Sequence, residues 1–230
     1  ATFVPNLVTG LPSTSGRHGG CALQRGSGHA LYIGTGDAAQ GPNPQRLTSG
    51  GGKVLRVSSR TGNGYSDNPW GSARNTMQKR VWTYGHRNVQ GLAIDPRSGR
   101  IWSVEHGSSR DDEVNAIVKG SNYGWNPVPR RKGDPSYNEG SNSPMTDYAI
   151  RGAQRAAAWR SGSPTIATSG GAFLAGAPWG ALEGATAVTT LKGQELRLLH
   201  LDPTTFAYRS QVTPAALDRT YGRLRGVETG

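Results

Sequence analysis

The chain has 230 residues, enough for one large all-β or α/β domain and too few for two comfortable ones. Its 34 glycines and 14 prolines point to many short strands and turns, while the single cysteine, Cys21, excludes an internal disulfide framework and a cysteine-based zinc site. The formal net charge of +11 would suit an acidic partner, but the cations are scattered and no basic stripe is interleaved with aromatic residues, so nucleic-acid binding is not expected.

Cys21 is expected to be a small buried hydrophobe. Arg130-Arg131-Lys132, set among Pro and Gly, reads as a solvated loop. There is no run of eighteen apolar residues, and residues 1–20 lack the charged-then-apolar order of a signal peptide. The compartment is not written in these residues themselves.

In chain order, residues 1–30 read as loop, with His18 set among Gly16, Gly19 and Gly20 where no bulky neighbour crowds it. An exposed loop histidine is usually inert. Leu31–Gly34 is an apolar strand run ending in a turn at Gly36-Asp37. Lys53–Val57 alternates charged and apolar side chains, the period-2 pattern of a half-buried strand. Alternation restarts at Arg80–Tyr84. Residues Gly91–Asp95 and Arg100–Glu105 flank Pro96-Arg97-Ser98-Gly99, a turn composition, and Glu113–Val118 follows at once. Three successive strands with short connections make an antiparallel meander, the unit of a propeller blade.

Residues 119–160 hold a long polar excursion, and such excursions are often functional. The Ala-rich piece at Gln154–Ala158 reads as one or two helical turns. Strand signals return at Gly171–Leu174, Ala185–Leu191, Glu195–Leu201 and Phe206–Arg209.

Chemistry concentrates in three places. His86, Arg87, Asn88 and Gln90 offer several donors from one segment, which would suit an oxygen-rich, anionic or quinonoid ligand or would equally satisfy loop backbone groups. Glu105, Asp111, Asp112 and Glu113 fall within nine residues, oxygen-ligand chemistry for calcium or a solvated acidic loop. Arg223 and Arg225 would lie on one side of a strand, as capture of carboxylates requires.

The succession of His18-Gly19-Gly20, Leu31–Asp37, Gly52–Arg56, Asp67-Asn68-Pro69, Tyr84–Ala93, Glu105-His106-Gly107, Asp112–Asn115 and Asn122–Trp125 resembles the soluble PQQ-dependent glucose/aldose sugar dehydrogenases. The resemblance covers nearly the whole chain and is looser from 126 to 162. It implies an all-β fold, a six-bladed β-propeller of four-stranded antiparallel blades carrying pyrroloquinoline quinone (PQQ) and calcium. Residues 1–230 would form a single propeller domain that lacks the family's first blade and the end of its last.

The resemblance also implies roles. His18 would be the general base for the sugar's anomeric hydroxyl while hydride passes to the quinone, and Arg87 would stabilise the charge developing on the quinone oxygen. Asn88, Thr165, Lys192, Arg223 and Arg225 would hold the cofactor. The carbonyls of Gly107 and Ser108 would bind calcium, with Asp112, Glu113 and Tyr123 as a second, structural calcium site.

Two positions on the substrate side depart from the family pattern. Arg17 stands where an acidic or amide residue usually neighbours the base, and Ser163 precedes Pro164-Thr165 where glucose-oxidising members tend to carry an aromatic wall. The partners implied are a small-molecule sugar and an electron acceptor, with no nucleic acid. The location implied is extracytoplasmic, with peripheral membrane association through a leader. The alternative is an extracytoplasmic propeller that binds a ligand or cofactor without catalysis.

Overall fold

A computed structural model of the chain describes residues 6–13, 15–140 and 143–229. Short alternating runs bounded by Gly, Pro and Asn become twelve strands in three four-stranded antiparallel sheets. The first sheet holds β1 (Gly20–Arg25), β2 (Ala30–Thr35), β3 (Lys53–Ser58) and β4 (Val81–Tyr84). The second holds β5 (Val89–Asp95), β6 (Arg100–Glu105), β7 (Glu113–Ala116) and β8 (Trp159–Arg160). The third holds β9 (Thr168–Phe173), β10 (Thr186–Thr190), β11 (Leu196–Leu201) and β12 (Tyr208–Val212).

Within each sheet the strands follow chain order, and of the first strands β5 lies between β1 and β9. This is the blade arrangement of a β-propeller. Three such blades are present among the described residues, half of the six that the resemblance implies.

The inner strands approach closely because glycine occupies the crossing points. A Cβ on Gly34 would run into the Val89 side chain, and one on Gly91 into the Ser169 carbonyl. Ala22, Val54, Val89, Leu92, Ile101 and Tyr123 fill the space between the first two sheets. Ala93, Trp102, Val104, Val114, Phe173, Val188 and Leu199 fill the space between the second and third. Each Val, Leu or Phe buried there contributes about 1.5–3 kcal/mol.

Several expectations are corrected. β1 runs through a segment read as loop, because of its six residues only Ala22 is buried. Cys21, on that strand, is exposed rather than buried. A short helix, α1 (Thr76–Arg80), precedes β4, capped by the Asn75 side chain, which accepts from Gln78 N at 3.0 Å. The Ala-rich piece near 154–158 is not helical; Gln154 bridges Asn122 in extended backbone. Residues 223–225 are irregular rather than strand.

Lys53 is fully buried rather than on a solvated edge of β3. Its ammonium donates to the carbonyls of Asn43 (2.7 Å), Pro44 (3.0 Å) and Gly51 (2.7 Å). Burial holds its pKa well below the ordinary lysine value. Three carbonyl acceptors saturate the three donors, which is how a lysine survives at this depth.

Candidate active site

Three loops at the ends of the inner strands are tied together by backbone bonds. Asn88 bridges Gly36, and its side-chain oxygen accepts from Gly20 N at 3.1 Å. Asp37 N donates to the Arg87 carbonyl at 2.8 Å, and Ala38 N to the His18 carbonyl at 3.3 Å. Gly36 lies so close to the His18 carbonyl that a Cβ there would overlap it. His18 itself has a φ of 51°, a left-handed backbone that its surroundings must maintain.

His18 is therefore not an open loop residue: its side chain is 10% exposed and its Nδ1 lies 2.8 Å from Asp37 Oδ1. On the other side of the ring, Arg87 donates to Nε2 at 3.0 Å. A guanidinium has no acceptor, so Nε2 carries the lone pair and Nδ1 the proton given to Asp37. Asp37 is completely buried and also accepts from Ala39 N (2.8 Å), Trp125 Nε1 (2.7 Å) and Tyr137 O–H (2.6 Å). Four donors on one carboxylate fix it in the right place to orient the imidazole.

Tyr137 and Glu139 arrive from the long excursion between β7 and β8. Burial, and then the Asp37 charge, pushes the Tyr137 phenol far above its ordinary range, so it stays a donor. Glu139 pairs with both Arg17 and Arg87. Arg87 is further fixed by the His106 carbonyl at 3.2 Å, and its guanidinium carbon lies 5.7 Å from the centre of the Trp125 ring. None of Asp37, Tyr137, Glu139 or Trp125 was identified as a site residue from the sequence. Asp37 reads as a turn residue, and the other three are separated from it by 88 to 102 positions; only the polar length of the excursion hinted at them.

Behind the site, His86 donates from Nδ1 to Glu105 at 2.9 Å, lies 2.9 Å from Thr83 Oγ1 through Nε2, and stacks on Tyr123 with ring centres 4.5 Å apart. Glu105 also receives Arg87 N. Asn115 Nδ2 spans Glu105 and Glu113 at 3.4 Å to each. Burial, and then the Glu105 charge, pushes the Glu113 carboxyl up to about 8. The mainly buried His106 is pushed the other way, its imidazole held below the ordinary value.

The expected cofactor residues divide into groups. Lys192 and Arg223 line one cavity of about 350 Å³ with Ala167, Leu191 and Gln194. Thr165 is not among its lining residues; its N–H donates to the Ser109 carbonyl at 3.3 Å, and Lys192 N donates to Ile166 O, the next residue along, at 3.0 Å. Arg225 lines a different depression, with Gln90, Gly91 and Gly170. Asn88 holds the His18 loop against β5 through the Gly20 bond described above.

Three orphaned atoms on this face are of the kind that the oxygens of PQQ would satisfy. Arg87 Nε, His106 Nε2 and Ser108 Oγ are buried on adjoining segments without a hydrogen-bond partner among the described residues, a costly state that an oxygen-rich group would relieve. For calcium, the Gly107 and Ser108 carbonyls accept no hydrogen bond among the described residues and fit an oxygen-ligated cation. The Asp112, Glu113 and Tyr123 set does not present three open oxygens. Asp112 already accepts from the N–H groups of Gly107 (2.9 Å), Ile166 (2.7 Å) and Ala167 (2.7 Å), and the Tyr123 hydroxyl is bonded to Ala116 O and Val118 N. No group of three His, Cys, Asp or Glu side chains suited to a metal occurs among the described residues.

Residues 2–230 match the family described as Glucose / Sorbosone dehydrogenase. The chain is 34% identical over 176 residues to quinoprotein glucose dehydrogenase B of Acinetobacter calcoaceticus, an alignment covering 66% of this chain and 36% of that protein. It is 38% identical over 113 residues to the aldose sugar dehydrogenase YliI of Escherichia coli K12, covering 49% of this chain and 30% of that protein. Among solved structures, the PQQ-bound aldose sugar dehydrogenase of Streptomyces coelicolor superposes with a TM-score of 0.69 at 30% identity, over 94% of this chain and 54% of that one. The chain thus spans about a third of these curated relatives and about half of the solved one. With a match that runs from residue 2 to residue 230, the chain belongs to the Glucose / Sorbosone dehydrogenase family.

Proposed function

We propose that the protein is a PQQ- and calcium-dependent oxidoreductase that oxidises an aldose sugar or related alcohol. The observation that carries this reading is the Asp37–His18–Arg87 arrangement, a carboxylate-oriented imidazole whose Nε2 lone pair faces a guanidinium. His18 Nε2 takes the proton of the substrate hydroxyl, and the Asp37 carboxylate on Nδ1 stabilises the imidazolium that forms. Arg87 is the donor for an anionic oxygen at the same place.

PQQ, when bound, would supply the two-electron acceptor for the substrate carbon, and calcium would supply an electrophile. Lys192, Arg223 and Thr165 would hold the cofactor's carboxylates, with Arg225 contributing from its own depression. The Gly107 and Ser108 carbonyls would hold calcium. Asn88 keeps the His18 loop in register. An electron acceptor downstream and an extracytoplasmic location belong to the same proposal, and they rest on the family resemblance.

The test is to add PQQ and calcium to the purified full-length protein, then to follow the quinone absorbance and dye reduction with a panel of aldoses. Binding followed by turnover is the expected result. Absence of binding at micromolar PQQ would overturn the reading, and binding without turnover on any sugar would identify a ligand-binding propeller instead.

A further inference from the structure

Glu139 reaches His18 and Arg87 from the excursion between β7 and β8. One carboxylate oxygen pairs with Arg17, the other with Arg87, and the second lies 3.8 Å from His18 Nε2. Since Nε2 is the atom that takes the proton, the hydroxyl surrendering it must come within about 3 Å of that nitrogen. Any alcohol bound there is therefore a direct neighbour of Glu139. The carboxylate side chain is 23% exposed, so it is reachable from the open side, while Arg17, 55% exposed, grips it from solvent.

A carboxylate accepts hydrogen bonds and donates none, whereas the hydroxyls flanking the reacting position of a sugar can donate. A ligand carboxylate or phosphate in the same place would instead set like charges in contact, in a site partly shielded from water. Arg17 and Arg87 are both paired with Glu139, so part of the positive charge at this place is already offset before such a ligand arrives.

We propose that Glu139 is a specificity-determining residue on the substrate side. It accepts a hydrogen bond from a hydroxyl adjacent to the one that His18 deprotonates, and it excludes sugars carrying an anionic group there. Arg17 is its positioning residue. The inference rests on the oxidoreductase reading above and deepens it to a substrate class, neutral polyhydroxy aldoses.

The experiment uses the full-length protein with calcium and PQQ. Glucose and N-sulfoglucosamine, which carries its anionic group on the carbon next to the anomeric one, are titrated calorimetrically onto the reduced holoprotein, where no turnover occurs, and dye reduction is measured separately on the oxidised form. Glu139→Gln should raise the glucose Kd and KM by about tenfold or more, the worth of one hydrogen bond to a charged group. It should narrow the preference for glucose over N-sulfoglucosamine by a similar factor while kcat changes less. Glu139→Asp, which keeps the charge, should restore part of the preference. Arg17→Gln, at an exposed side chain, should move glucose KM in the same direction by a smaller factor.

Turnover with a preference unmoved in both Glu139→Gln and Arg17→Gln would overturn the role of Glu139 and leave the oxidoreductase reading intact. A shifted binding preference in a protein that oxidises no sugar would support Glu139 as the selector and overturn the oxidoreductase reading. Binding of neither sugar by the wild type, with no turnover, would overturn both.

Discussion

Arg87 donates to His18 Nε2 at 3.0 Å, so the nitrogen that would accept a proton is hydrogen-bonded by a guanidinium before any ligand arrives. His18 thereby has a defined tautomer and a defined facing group. His18→Ala should lower kcat by about 10²–10⁴-fold, the usual worth of a general base, while PQQ affinity measured by absorbance titration stays within a few-fold. Equal turnover in the variant would show that another group takes the proton.

Asp37 accepts from four donors and is wholly buried, so Asp37→Asn must turn an amide N–H₂ toward at least one of them. The expected result is a kcat lower by about 100-fold or more, from loss of the orienting anion, with a reduced melting temperature. A variant with wild-type kcat would mean that Asp37 holds the loop without acting on the imidazole.

The separation of the cofactor arginines gives a discriminating comparison. Lys192→Ala and Arg223→Ala, which strip cations from one shared cavity, should each weaken PQQ binding by about tenfold or more. Arg225→Ala, in a different depression, should weaken it less. Fluorescence or absorbance titration of the three variants decides the matter, and equal losses would indicate that both depressions contact the cofactor.

Stability should depend on pH through Glu113, whose carboxyl is pushed from the model-compound value of 4.5 up to about 8. Between those values the folded protein keeps a proton that the unfolded chain has released. Stability from this group is therefore greatest at the low end of the window and is lost as pH rises through about 8. In the presence of a chelator, the melting temperature should fall across this range, and Glu113→Gln should flatten the slope. Excess calcium restoring the high-pH melting temperature would indicate a cation held at this carboxylate.

Gly36→Ala should be disproportionately harmful for a one-carbon change, because its Cβ would overlap the His18 carbonyl. A stability loss of about 1–3 kcal/mol, the range for backbone overpacking, should accompany displaced His18 and a fall in kcat. Denaturant melts and dye-reduction assays on the same variant measure both.

Blade strands bounded by clear turn residues were legible in the sequence, as in Arg100–Glu105, which follows the Pro96–Gly99 turn and begins and ends where β6 does. β1 was not, because its alternation leaves Cys21, Leu23 and Arg25 exposed and gives the segment no apolar signature. Lys53 misled in the opposite sense: a charge at an alternating position suggests solvent, but three loop carbonyls outside the strand decide its burial. At the site, the motifs supplied His18 and Arg87, whereas local patterns carry no information on the bonds that bring Asp37, Tyr137 and Glu139 to them. Arg17, which stands where the family pattern has an acidic or amide residue, is paired with Glu139 from 122 residues away.

The bonds converging on Asp37 also set an order of events in folding. Its donors come from residues 18, 39, 125 and 137, with the farthest 100 positions along the chain. Closing loops of that span is slow and follows local strand pairing. The first blade and β5–β7 can therefore pair their strands before the imidazole is oriented, and the Asp37 cluster closes only when the excursion has docked.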